Sequence, residues 1–150
     1  MTDDRWLTEP ELAAWKDFLT VTATIHRRIE QQLKDEAGLT HPQYEVLTRL
    51  SDAPEGSLRM TELAQAAVTS KSGLTYQVTQ LEKAGLVGRR TSTHDERGVV
   101  AYLTDKGWAK IRQTAPGHAA LVRALFRDGL SERQFTGMAT AIAALNDHLR

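Results

Sequence analysis

The sequence predicts a mainly α fold with a small β-hairpin wing: a winged helix-turn-helix flanked by N- and C-terminal dimerisation helices. Three observations predict it. Apolar residues recur at helical spacing through the first and last thirds of the chain. Two short helical patterns in the middle are separated by about four residues, the spacing of a helix-turn-helix. After Gly85 the period changes, and two strand-like stretches flank a charged loop.

The elements follow in order. Thr8-Glu-Pro-Glu11 is a capping box with Pro in the first turn, so a helix starts near Glu9. Leu12, Trp15, Leu19, Thr22, His26, Ile29 and Leu33 follow at steps of three and four, flanked by Ala14, Phe18, Val21 and Ile25. That face is too broad for a lone surface helix. Gly38 is the expected stop. A helix of this length is about 42 Å long, more than a compact domain of this size needs, so part of it is expected to pack on another subunit.

His41-Pro42 opens a shorter helix with Tyr44, Val46, Leu47 and Leu50 inward. Asp52–Gly56 is a turn, and Ser57–Arg59 is long enough for a very short strand. Thr61 is expected to cap the next helix, which buries Leu63, Ala64, Ala67 and Val68. Thr69-Ser70 breaks it and starts another, carrying Leu74, Val78 and Leu81 and stopping at Gly85. Leu86–Thr91 and Val99–Leu103 form the hairpin. Thr104 caps a long helical region in which Pro116-Gly117 should produce a kink or break. Ser131-Glu-Arg-Gln134 is a second capping box and starts the last helix. The chain is expected to be one domain over 1–150. Residues 42–104 form its winged helix, and 9–37 and 105–150 its dimerisation helices. A homodimer would bury the end helices.

Composition narrows the function. The 150 residues are 41% hydrophobic and 25% charged, which suits a folded domain. The longest stretch without Asp, Glu, Lys or Arg runs from Gln134 to Asn146, too short for a membrane span. Met1–Glu9 carries Asp3, Asp4 and Arg5 and has no apolar core, so no secretory signal is read there. Cysteine is absent, which excludes disulfides, thiolate metal sites and a Cys nucleophile. A cytoplasmic location is expected. The five histidines show no i, i+4 pair, and neither a metal nor another cofactor is expected. No nucleophile–base set or phosphate loop appears, so an enzyme is not expected.

The helix at 70–82 carries the chemistry. Ser72, Thr75, Tyr76 and Thr79 share one side, with Lys71 beside them and Gln77 and Gln80 nearby. No acid occurs from Ser70 to Leu81. Hydroxyls and ammoniums bond phosphates, whereas amides and hydroxyls pair with base edges. Ser70–Ser72 would add the helix dipole. An ordinary solvated face would instead hold Glu and Lys, which are better helix formers. Arg89, Arg90, His94, Asp95 and Arg97 form a second set in the hairpin. Arg89 and Arg90 point to opposite sides of a strand, so only one faces a phosphate directly. Arg97, held by Asp95, has the chemistry to enter a minor groove. The formal net charge of zero favours the alternative, a winged helix that docks a protein without reading DNA.

These residues resemble a known family. Asp95-Glu-Arg97-Gly98-Val-Val-Ala-Tyr-Leu103-Thr104 is similar to the D-x-R-(G/S)-x-x-x-x-L-T signature of the MarR family of bacterial transcription regulators. Met60-Thr-Glu-Leu-Ala64, Ser70-Lys-Ser72-Gly-Leu-Thr75 and Leu81-Glu-Lys-Ala-Gly85-Leu-Val87 resemble its helix-turn-helix and the exit into the wing. The resemblance implies a homodimer on a pseudo-palindromic DNA operator, usually a repressor, and often released by a small aromatic or phenolic acid. It matches Asp95 and Arg97 to the wing pair and Ser70–Thr79 to the recognition helix. Many members have Arg at the position of Tyr76 and Asp at that of Thr79, so the target sequence does not carry over. A ligand pocket is expected between the first helix, the 42–52 helix and the helix from 105. Trp15, Phe18, His26, His41, Tyr44 and Trp108 are its candidates.

Overall fold

The computed structural model describes residues 5–66, 71–92 and 98–150, and only the backbone of Lys71 and Ser72. The elements run α1 (Glu9–Ala37), α2 (His41–Asp52), a 3-10 turn (Pro54–Gly56), β1 (Ser57–Arg59), α3 (Met60–Ala66), α4 (Lys71–Lys83), β2 (Val87–Thr91), β3 (Val99–Leu103), α5 (Asp105–Phe126) and α6 (Glu132–His148).

Local chemistry sets the helix ends. At α1, the Thr8 N–H donates to Glu11 Oε2 (2.8 Å) and the Glu11 N–H to Thr8 Oγ1 (3.3 Å), closing the expected box. Gly38 ends the helix with φ +66°. Ser131 and Gln134 form the box at α6. Thr40 and Gln43 form another at α2, which the sequence reading overlooked. Leu86 N–H bonds the Leu81 carbonyl (3.0 Å) and Gly85 N–H that of Glu82 (2.9 Å), closing α4 with Gly85 at φ +75°.

Two expectations are corrected. Helix α3 starts at Met60, directly after β1, and Thr61 lies inside it. Pro116 does not break α5, which is continuous from Asp105 to Phe126. Pro116 is exposed, and the carbonyl it leaves without a donor belongs to exposed Arg112, where water can satisfy it. The break expected at Thr69-Ser70, and the burial of Ala67 and Val68, lie outside the described residues.

The chain divides into two compact units, Met1–Ile29 with Ala119–Arg150, and Glu30–His118. The second holds the core. Leu33, Leu47, Leu50, Leu63, Leu74, Val78 and Leu81 are almost completely buried there. Its sheet has the antiparallel order β1-β3-β2, so the short β1 extends the hairpin into three strands. Leu58 pairs with Ala101, and Val87 pairs with Leu103. Val87, Ala101 and Leu103 are buried on the inner face of the sheet. In the first unit only Ile29 is buried among the described residues. Trp15 stacks on Phe18 there, with centroids 5.8 Å apart. Both rings are half exposed.

Candidate nucleic-acid interface

Helix α4 buries Leu74, Val78 and Leu81 and turns the opposite side outward. Thr75 is exposed, Tyr76 is 60% exposed, and Thr79 and Gln80 are partly exposed. Lys71 and Ser72 lie in its first turn. Glu82 is the one acid on α4 and sits at its C-terminal end. Ser70, Asp95 and Arg97 lie outside the described residues.

The two arginines of β2 part company. Arg89 shares the inner face with Val87 and reaches α4. Its Nη2 lies 2.6 Å from Glu82 Oε1 and donates to Thr79 Oγ1 at 3.3 Å. Arg90 shares the outer face with Gly88, and its guanidinium lies 5.0 Å from the centroid of Tyr102. Gly88 pairs directly with Tyr102. A Cβ at position 88 would fall 2.3 Å from Tyr102 Cζ, so glycine is what lets the ring lie across the strand. A glycine inside a strand pattern was the available sequence signal for this contact.

The ligand-pocket candidates fall in several places. Trp15 and Phe18 belong to the first unit, as does exposed His26. Trp108 packs on the 3-10 turn, where a Cβ on Gly56 would come within 2.5 Å of its Cζ2. Tyr44 and His41 lie with His118, which the sequence reading left among the unremarkable histidines. The Tyr44 and His118 centroids are 4.6 Å apart. Burial lowers the His118 pKa, and the nearby His41 lowers it further. Burial raises that of Tyr44. Gln32 Nε2 donates to the Gly117 carbonyl at 3.0 Å. His118 Nδ1 and Gln32 Oε1 are buried without a hydrogen-bond partner among the described residues. Nothing in the local sequence pattern joins Gln32 to His118. Gln32 reaches Gly117, the neighbour of His118, from far along the chain.

The described residues form a three-stranded winged helix that leaves Thr75 and Tyr76 exposed on α4, a surface suited to the class of nucleic-acid-reading regulators. A sequence model of the MarR family matches residues 39–99. AbsC of Streptomyces coelicolor, a MarR family transcriptional regulator, is 39% identical; the match covers 97% of each chain, with a TM-score of 0.91. Sco3205, a MarR family transcriptional regulator of the same organism crystallised in complex with DNA, is 35% identical. That match covers 97% of this chain and 94% of Sco3205, with a TM-score of 0.92. The transcriptional repressor YetL of Bacillus subtilis is 32% identical over 65% of this chain, a match spanning 58% of YetL's own length. The chain belongs to the MarR family of winged-helix transcription regulators. No helix among the described residues is long and apolar enough to cross a membrane.

Proposed function

We propose that this protein is a cytoplasmic, homodimeric, sequence-specific DNA-binding repressor. It holds a pseudo-palindromic operator and releases it when a small aromatic or phenolic acid binds. The observation that carries the reading is the outward side of α4, where Tyr76, Thr75, Thr79 and Gln80 face solvent with no acid among them. That side suits a major groove. That Sco3205, 35% identical, was crystallised in complex with DNA supports DNA as the partner. Lys71, Ser72 and Ser70 would meet phosphates at the helix N-terminus. Asp95 and Arg97 would serve the minor groove. Arg90 is the better placed of the β2 arginines to meet a phosphate, because Arg89 is already paired with Glu82.

For the ligand, His41, Tyr44 and His118 outrank the other candidates. Two unpartnered buried polar atoms are costly to leave unsatisfied. A planar acid stacking on the Tyr44–His118 pair could bond His118 Nδ1.

The test is selection of sites from random duplex DNA by the full chain, followed by fluorescence anisotropy at two salt concentrations. A selected palindrome that resists unrelated competitor is the expected result. Tyr76→Ala should then reorder the preferred sites. Arg97→Ala should weaken all sites and reduce the salt slope by about one. Uniform binding to every duplex, or none, would leave the wing and helix free for a protein partner and end the DNA reading.

A further inference from the structure

We propose that Thr79 reads DNA through its methyl group, at a thymine, and that Arg89 is the positioning residue that leaves it only the methyl to offer. This rests on α4 being the helix that enters the major groove. A threonine hydroxyl has one proton and two lone pairs. The Thr79 proton goes to the Thr75 carbonyl, 2.9 Å away. One lone pair accepts from Arg89 Nη2 at 3.3 Å. The second lies beside that guanidinium, whose charge opposes the amino protons that adenine or cytosine would bring. The oxygen is turned back onto the protein, and the methyl remains for the groove. The thymine C5-methyl is the apolar group that the major groove presents.

Arg89 is held where it does this. Thr79 and Glu82 are three residues apart on α4 and so are neighbours on its surface. Arg89 bridges them, with Glu82 Oε1 at 2.6 Å. Strand alternation puts Arg89 on the helix side of β2 and sends Arg90 to the other face, over Tyr102. One guanidinium therefore ties the wing strand to the recognition helix and takes up the hydroxyl of a residue on the reading face.

The experiment uses the full chain and the operator it selects from random DNA. Each thymine of that operator is replaced in turn by deoxyuridine, which removes only the C5-methyl. Wild type should lose about fourfold in affinity at one thymine per half-site, the effect of one methyl group leaving its contact. Thr79→Val keeps a methyl and should keep that loss. Thr79→Ser keeps the hydroxyl, lacks the methyl, and should bind thymine and deoxyuridine operators alike. Arg89→Ala should blunt the discrimination at that same position while leaving the salt slope nearly unchanged. A flat deoxyuridine scan in wild type overturns the inference while leaving DNA reading intact. So does a Thr79→Ser variant that still discriminates. A fall of about one in the salt slope of Arg89→Ala would make Arg89 a phosphate contact and overturn its positioning role. Failure to select any operator would instead remove the DNA reading on which the inference stands.

Discussion

Single residues carry costs that the fold tolerates. Glu55 sits between Pro54 and Gly56 with φ 60° and ψ 18°, the left-handed region. An L-residue there costs about 1–2 kcal/mol. Glu55→Gly removes that strain but adds chain entropy to the unfolded state, so a net gain of about 0.5–1 kcal/mol is expected from urea melts. A loss would mean that the Glu55 side chain stabilises the turn. His118 makes stability depend on pH. Burial and His41 hold its pKa below the ordinary value of about 6.5. The unfolded chain therefore binds a proton in acid that the folded chain refuses. This contribution is fully present above about pH 7. It is lost as pH falls below the unfolded value, and the loss levels off once the lowered folded value is passed. His118→Phe keeps a ring beside Tyr44 and should show a shallower fall in urea midpoint between pH 7.5 and 5.5 than wild type. Equal slopes in both proteins would place the pH dependence elsewhere. The burial of Tyr44 was legible from helical spacing. The surroundings of His118 were not, because His41 and Tyr44 approach it, and Gln32 its neighbour Gly117, from other helices.

Elements depend on side chains that join one end to another. Thr104 is the clearest case. Its Oγ1 accepts from the Gly107 N–H at 3.0 Å, capping α5, and donates to the Gly85 carbonyl at 2.6 Å, just past the end of α4. Its own N–H bonds the Leu86 carbonyl at 3.2 Å. One threonine fixes the start of α5 against the exit of α4. Thr104→Val keeps the shape and loses both hydroxyl bonds. It should cost about 1–2 kcal/mol in urea. Thr114→Val removes a hydroxyl that only bonds back to Lys110 within the same helix, and should stay within about 0.5 kcal/mol. Equal costs would deny Thr104 its joining role. The caps at Thr8, Thr104 and Ser131 were legible because a cap is written within four residues. The pairing of β1 with β3 was not, since Leu58 meets Ala101 from far along the chain. That α5 runs through Pro116 without a break was not legible, for a related reason. A proline inside a helix costs less where water can satisfy the carbonyl it frees, and the sequence does not show that Arg112 faces water.

At the scale of the whole molecule, the first unit leaves its apolar surface unsatisfied. Trp15 and Phe18 are each 50% exposed and Leu145 is 51% exposed. With Leu7, Glu11 and Ala14 they line an apolar hollow of about 610 Å³. The breadth of the α1 stripe was legible as a demand for cover. The sequence also pointed to a homodimer as the cover, but which residues would meet across it was not legible, because one chain does not contain the facing surface. Homodimerisation through this surface, as proposed above, would answer the demand and would link assembly to DNA affinity. A dimer holds two half-sites at once, so its second contact forms at high effective concentration. Leu145→Asp places a charge in the hollow, where burial against a partner would be costly. It should leave the winged helix folded, because Leu145 lies in the other compact unit from the core. Light scattering should give twice the chain mass for wild type and a single chain mass for the variant. Affinity for a palindromic operator should fall by about 100-fold or more, while a duplex holding one half-site should be bound about equally by both proteins. A variant that remains dimeric would move the interface off this hollow. A monomer that grips the palindrome as tightly as wild type would separate assembly from DNA reading altogether.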